Sequence, residues 1–179
     1  MMEDSTHDAA FADFVHTAWP GLYRTAHLLL GDHGLAEDLT QTALAKTYTA
    51  WPRIREPEAA YSYARTTLVN TATSWFRRRS WRNEMPDEDV SNGANAHVSA
   101  HEVDPTDRPA LMAALAALPP RQRAVVVLRY YDDLSVAETA DTLGCSPGTV
   151  KSQTFAGLAA LRRVLGEAVV PASRGASHE

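Results

Sequence analysis

The segment Asn70–Arg82 reads NTATSWFRRRSWR, in which Arg77, Arg78, Arg79 and Arg82 are interleaved with Trp75, Phe76 and Trp81. Guanidinium groups neutralise phosphates, and aromatic faces stack on unpaired bases. The mixture suits nucleic acid whose strands are separating. On this stretch alone, an aromatic core stripe with a basic helix end that complements the dipole reads equally well.

A second constellation lies in LSVAETADTLGCSPGTVKSQTFAGLAAL, residues 134–161. Ser135 and Glu138 have the spacing of a capping box, Gly144 is a natural helix stop, and Ser146-Pro147 restarts a helix. Ala140 is the small residue that lets a second helix approach the first. Val150, Thr154, Leu158 and Leu161 share a face to bury. Ser146, Thr149, Lys151, Ser152 and Gln153 lie on other faces and can bond base edges and phosphates. This is helix-turn-helix form, against the plainer reading of a helical hairpin with a solvated polar face. The third stretch, AEDLTQTALAKTYTAW (36–51), is amphipathic, with Leu39 and Ala43 inward, Asp38, Gln41 and Lys46 outward, and Leu44, Tyr48 and Trp51 available to a partner or to the core. An ordinary amphipathic helix explains that pattern as well.

Hydrolytic or metal chemistry has no comparable support. No nucleophile, phosphate loop or carboxylate pair has a usable spacing. His97, His101 and Asp104 sit in a Pro/Gly-broken stretch better read as solvated, and Cys145 reads as a small packed residue. The protein is not expected to be an enzyme, and no cofactor or metal is expected.

The elements that must position these groups read as helices throughout. Stripes at helical spacing run through Phe11, Phe14 and Val15, through Leu22, Ala26, Leu29 and Leu30, and from Leu35 to Trp51. Pro20-Gly21 is expected to bend or divide the first of these regions. A third helix is expected from about Glu58 to Arg79, its buried stripe being Tyr61, Ala64, Leu68, Ala72 and Trp75 or Phe76. In the C-terminal part, Leu111, Leu115 and Leu118 form a stripe ended by Pro119-Pro120, and a helix follows from Arg121 to Tyr131. The segment 83–107 carries seven acids and no Lys or Arg. With Pro86, Gly93 and Pro105 and no apolar period, it reads as a linker. The expected fold is all-α: two small helical domains, 8–82 and 108–168, joined by an acidic flexible linker at 83–107, the second domain containing the helix-turn-helix.

The net charge of −5 is unevenly spread. Residues 65–82 carry five arginines and no acid, and residues 142–166 carry Lys151, Arg162, Arg163 and no acid. Distribution matters more than the sum for a polyanion partner. At 45% hydrophobic residues the chain has enough for packed cores, and no apolar run approaches a membrane span. The acidic N-terminus is unlike a signal peptide, and a single cysteine implies no oxidising compartment, so a cytoplasmic location is expected.

Taken together these segments resemble extracytoplasmic-function (ECF, group 4) RNA polymerase sigma factors, most like an actinobacterial SigE-type branch. AEDLTQTAL resembles their polymerase-binding motif, SYARTTLVNTATSWFRRRS the helix that reads the −10 element, and LPPRQRAVVVLRYYDDLSVAETADTLGCSPGTVKSQTFAGLAALR their region 4; about residues 10–166 are covered. The resemblance implies a subunit that directs promoter recognition and transcription initiation. Asp38, Gln41, Leu44 and Tyr48 would dock on the β′ clamp helices of core polymerase. Asn70, Trp75, Arg77, Arg78 and Arg79 would meet the −10 element as single-stranded DNA. Ser146, Thr149, Lys151, Ser152 and Gln153 would enter the major groove of the −35 element. The resemblance also implies an anti-sigma factor as partner, and a linker whose acids Asp87, Glu88 and Asp89 mimic nucleic acid inside the polymerase. Two positions depart from the family pattern: Leu44 stands where many members carry Phe, and Ala156 where many carry Arg. The competing reading is a stand-alone helix-turn-helix regulator, which accounts for the second constellation but not for the first. Charge complementarity raises the possibility that the two basic surfaces and the acidic linker pack together in the free protein, and the sequence leaves open whether the free form is compact.

Overall fold

The computed structural model describes residues 2–54, 56–83 and 109–165. Among them every regular element is helical: α1 (Met2–Leu30), α2 (His33–Ala50), a single 3-10 turn (Trp51–Arg53), α3 (Pro57–Asn83), α4 (Pro109–Ala116), α5 (Pro120–Tyr130), α6 (Val136–Leu143) and α7 (Pro147–Leu165). The proposed linker, apart from Asn83, and with it His97, His101 and Asp104, lies outside the described residues.

Each helix boundary has a local cause. Gly31, at φ +72°, turns the chain after α1. Asp32 caps α2 by accepting from the Leu35 amide at 2.8 Å. Pro57 opens α3 and Pro120 opens α5, where a proline costs no helix bond. Ser135 and Glu138 form the capping box of α6, with bonds of 3.1 and 2.8 Å. Gly144, at φ +60°, ends α6 in the left-handed conformation. Ser146 then accepts from the Thr149 amide at 3.1 Å to start α7.

One boundary expectation is corrected. Pro20 does not divide the first region: α1 is continuous through it. A proline removes a single helix bond, and the packed residues on both sides of it, Ala18 and Leu22, hold the helix together. The neighbouring Gly21 serves close approach instead, since a Cβ there would lie 2.5 Å from the Tyr61 hydroxyl of α3.

One apolar core runs through both halves. Leu22, Leu29, Leu39 and Leu68 belong to it from the first half, and Leu115, Leu118, Leu128 and Leu158 from the second. A smaller cluster of Val125, Ala140 and Val150 seals the α5–α6–α7 junction. Gly157 permits the α5–α7 crossing, because a Cβ there would come within 2.8 Å of Val126 Cγ2.

Candidate nucleic-acid interface

The α6–α7 pair has the helix-turn-helix geometry expected of it. α7 buries Val150, Gly157, Leu158 and Leu161 and leaves its opposite face outward. Ser146, Lys151 and Ser152 are exposed, while Thr149 and Gln153 are half-buried on one flank. The Ser146 and Thr149 hydroxyls are 2.9 Å apart, and Ser152 donates to the Thr149 carbonyl. The first turn of α7 carries no acid, so nothing opposes an anion at its N-terminus.

Sequence reasoning missed Phe155. It is 75% exposed, one turn beyond Lys151 on the outward face. The signal was legible: an aromatic residue out of phase with the Val150–Leu158–Leu161 stripe on a helix proposed to enter a groove.

On α3, Asn70, Arg77 and Arg78 are exposed, and Arg78 donates to Ser74 Oγ at 3.2 Å. Trp75 and Phe76 are both half-buried against the core. Arg79 stands on α3, with its side chain outside the described part of the structure. Asn70 and Thr73 of α3, Arg121 of α5, Cys145, and Thr149 and Gln153 of α7 line one cavity of about 50 Å3. Two expected nucleic-acid readers from different halves therefore face each other.

On α2, Asp38 and Gln41 are exposed, and Gln41 donates to Glu37 at 3.2 Å. Tyr48 is 44% exposed, but its hydroxyl donates to Asp8 at 2.7 Å and its ring packs 4.9 Å from that of Phe11. Leu44, which the sequence left available to a partner or to the core, is 5% exposed and belongs to the core here. It shares the inward side of α2 with Ala36, Leu39, Thr40, Ala43 and Thr47, which are all buried.

The seam between the halves is polar at its anchor points. Arg123 of α5 is buried and donates to the carbonyls of Leu29 (2.6 Å), Ala116 (2.8 Å) and Leu118 (3.2 Å). Burial pulls its pKa below the ordinary guanidinium value, although an arginine stays protonated there. Thr25 of α1 donates to Asp132 Oδ1 at 2.8 Å. Burial pushes the Asp132 carboxyl above the ordinary range, against smaller opposing effects of the Thr25 bond and of Arg65. Among the described residues no cluster of three or more His, Cys, Asp or Glu side chains could hold a metal. No helix among them is long and apolar enough to cross a membrane.

An all-helical protein with a capped helix-turn-helix in one half and an arginine-aromatic helix end in the other belongs to the class of DNA-binding transcription proteins. Comparison with known sequences narrows the class. Residues 14–82 match the family model of Sigma-70 region 2, and residues 108–161 match that of Sigma-70, region 4. The chain is 39% identical over 159 residues to the RNA polymerase sigma-E factor of Streptomyces coelicolor, covering 87% of this chain and 85% of that one. It is 32% identical to the ECF RNA polymerase sigma factor SigM of Mycobacterium tuberculosis over 81% of this chain and 71% of that one. In fold it is similar to the sigma factor RpoE, solved in complex with the anti-sigma factor NepR, from Bartonella quintana. That match has a TM-score of 0.67 at 24% identity, over 87% of this chain and 96% of the other. The chain belongs to the sigma-70 family of RNA polymerase sigma factors, in the ECF group, and so directs promoter recognition and transcription initiation.

Proposed function

We propose the following division of labour within that function. The N-terminal unit, residues 8–82, docks on the β′ clamp helices of core polymerase through the exposed Asp38 and Gln41, with Tyr48 at the edge and Leu44 fixing the helix from beneath. The same unit meets the −10 element as single strand through Asn70, Trp75, Arg77, Arg78 and Arg79. The C-terminal unit, residues 108–168, inserts α7 into the major groove of the −35 element. There Lys151 meets phosphate, Ser146, Thr149, Ser152 and Gln153 bond phosphates or base edges, and Phe155 offers an apolar face to a thymine methyl. Residues 83–107 link the two.

The observation that carries this reading is the outward face of α7, where Lys151, Ser152 and the 75% exposed Phe155 stand opposite the buried Val150, Leu158 and Leu161. The protein acts in the cytoplasm without catalytic chemistry of its own, and an anti-sigma factor is its proposed protein inhibitor. Run-off transcription with purified core polymerase and upstream regions of its own genome tests the assignment. Transcripts that need the protein, and that vanish with Lys151→Glu or with Asp38→Arg, support it. Duplex binding without any binding to core polymerase would return the stand-alone regulator.

A further inference from the structure

The helix α2 is tied to α1 at both of its ends. At the N-terminal end the Tyr23 hydroxyl and His33 Nδ1 are 2.8 Å apart, and the His33 ring stacks on that of His27 with centres 4.1 Å apart. At the C-terminal end the Tyr48 hydroxyl donates to Asp8 Oδ1 at 2.7 Å, a bond between residues 40 positions apart. Rings surround that bond. Phe11 lies 4.9 Å from Tyr48 and 5.0 Å from Trp51, and His7 lies 6.2 and 6.4 Å from the same two.

Helical spacing puts Asp38, Gln41, Ala45 and Tyr48 along one stripe of α2, and all four are exposed. Beneath them Leu39, Ala43 and Thr47 are buried, so packing and the two end ties fix the axis of the helix. The side chain at the end of the stripe is a different matter. A 44% exposed tyrosine has room for more than one rotamer. Here the Asp8 bond and the Phe11 ring hold it in one. Freezing an exposed side chain on association weakens binding, so a ring already held in place binds a partner more tightly. The hydroxyl is engaged within the chain, which leaves the ring for the partner. Asp8 itself is exposed, and a hydrogen bond in contact with water adds little to folding stability.

Resting on the docking role proposed above for α2, we infer that Asp8 is a positioning residue for the binding of core polymerase. It touches α2 rather than the partner, and it acts by holding the Tyr48 ring at the end of the stripe that begins at Asp38. Phe11 is the floor on which that ring rests. The first turns of α1 thus belong to the polymerase-binding apparatus, although the docking side chains stand on another helix.

The test titrates the labelled full-length chain with purified core polymerase and follows fluorescence anisotropy. Asp8→Leu removes the acceptor, and Tyr48→Phe removes the hydroxyl but keeps the ring. Each is expected to weaken binding by about three- to tenfold, the effect of leaving one side chain to be frozen on association. Asp8→Asn, whose amide oxygen still accepts, restores affinity to within about twofold of the parent chain. The double variant Asp8→Leu/Tyr48→Phe is no weaker than either single one, because both remove the same bond. Melting temperature and duplex affinity stay those of the parent, and a merely structural role of Asp8 would move both. Losses that multiply in the double variant overturn the inference, as does an Asp8→Asn chain as weak as Asp8→Leu. An Asp8→Leu chain that binds core polymerase as tightly as the parent, or more tightly, also overturns it. So does a loss of core binding matched by a lower melting temperature and an equal loss of duplex binding. Asp38→Arg separates this inference from the docking role on which it rests. If Asp38→Arg abolishes core binding and Asp8→Leu does not weaken it, only the inference falls; if Asp38→Arg also leaves core binding intact, the docking role of α2 falls with it.

Discussion

The Arg123 guanidinium lies over the ring of Phe76, 5.4 Å from its centre, and so joins α5 of one half to the nucleic-acid end of α3 in the other. The same group holds three backbone carbonyls, those of Leu29, Ala116 and Leu118. One side chain thus closes the α4–α5 turn, caps the end of α1 and covers an aromatic face.

Replacing Arg123 with Met keeps much of the stem but strips all three carbonyls of their donor. Hydrogen bonds to charged groups contribute about 1.5–3 kcal/mol each and are not additive here. Urea unfolding is expected to show a loss of more than about 2 kcal/mol. Arg123→Lys recovers only part of it, because an ammonium lacks the planar fork.

Asp132 makes stability depend on pH in an unusual sense. Its folded carboxyl titrates above the unfolded value because of burial. The folded state then holds the proton more tightly, and this residue's contribution becomes less favourable as pH rises from the ordinary carboxylate range through the folded pKa. Asp132→Asn keeps an acceptor for Thr25 and removes the charge. It is expected to melt higher than wild type at pH 7, with the gap narrowing as pH falls toward 4. A gap that widens on acidification would show that the carboxylate is favourably paired.

The capping box of α6 titrates the other way. Hydrogen bonds from the Ser135 side chain and then its backbone amide hold the Glu138 carboxyl below its ordinary value, so its support is present above the unfolded pKa and is lost as pH falls through the folded one. Ser135→Ala removes the reciprocal cap and is expected to cost about 1 kcal/mol by thermal melts near neutral pH.

Gly157 marks where α7 touches α5. An added methyl meets Val126 at 2.8 Å, closer than packed carbons tolerate. Gly157→Ala is expected to destabilise by about 1–3 kcal/mol through overpacking. Val126→Ala in the same chain should recover part of the loss, and a double-mutant cycle by urea unfolding checks it.

Two positions on α7 separate affinity from specificity. Lys151→Ala is expected to weaken duplex binding for all sequences and to lower the salt slope by about 1. Phe155→Ala leaves the slope unchanged and alters the preference for thymine at one position of the −35 element. Binding titrations on a randomised duplex pool, each at several salt concentrations, distinguish the two.

The helices were readable because their punctuation is local. Asp32, Ser135, Gly144, Ser146 and the prolines that open α3, α5 and α7 act within one turn of their own position, so their effect survives without knowledge of the fold. The helix-turn-helix was legible for the same reason: Ala140, Gly144 and the Val150–Leu158–Leu161 stripe lie within a short stretch. Pro20 does not divide α1, because packing on both sides, at Ala18 and Leu22, overrides the local break. The place of Leu44 was left open between a partner and the core because helical spacing alone cannot say which of two adjacent apolar faces meets the core.

The sequence by itself determined that the chain is helical and where most helix boundaries fall, and it singled out side chains that could meet nucleic acid; these follow from neighbours within about four residues. Only the tertiary structure decided that Thr25 bonds Asp132, that Arg123 covers Phe76, and that Asn70 faces Thr149 and Gln153. Those pairings join groups tens of residues apart in the chain. They depend on how two apolar surfaces, each complete in its own sequence pattern, come to share one core.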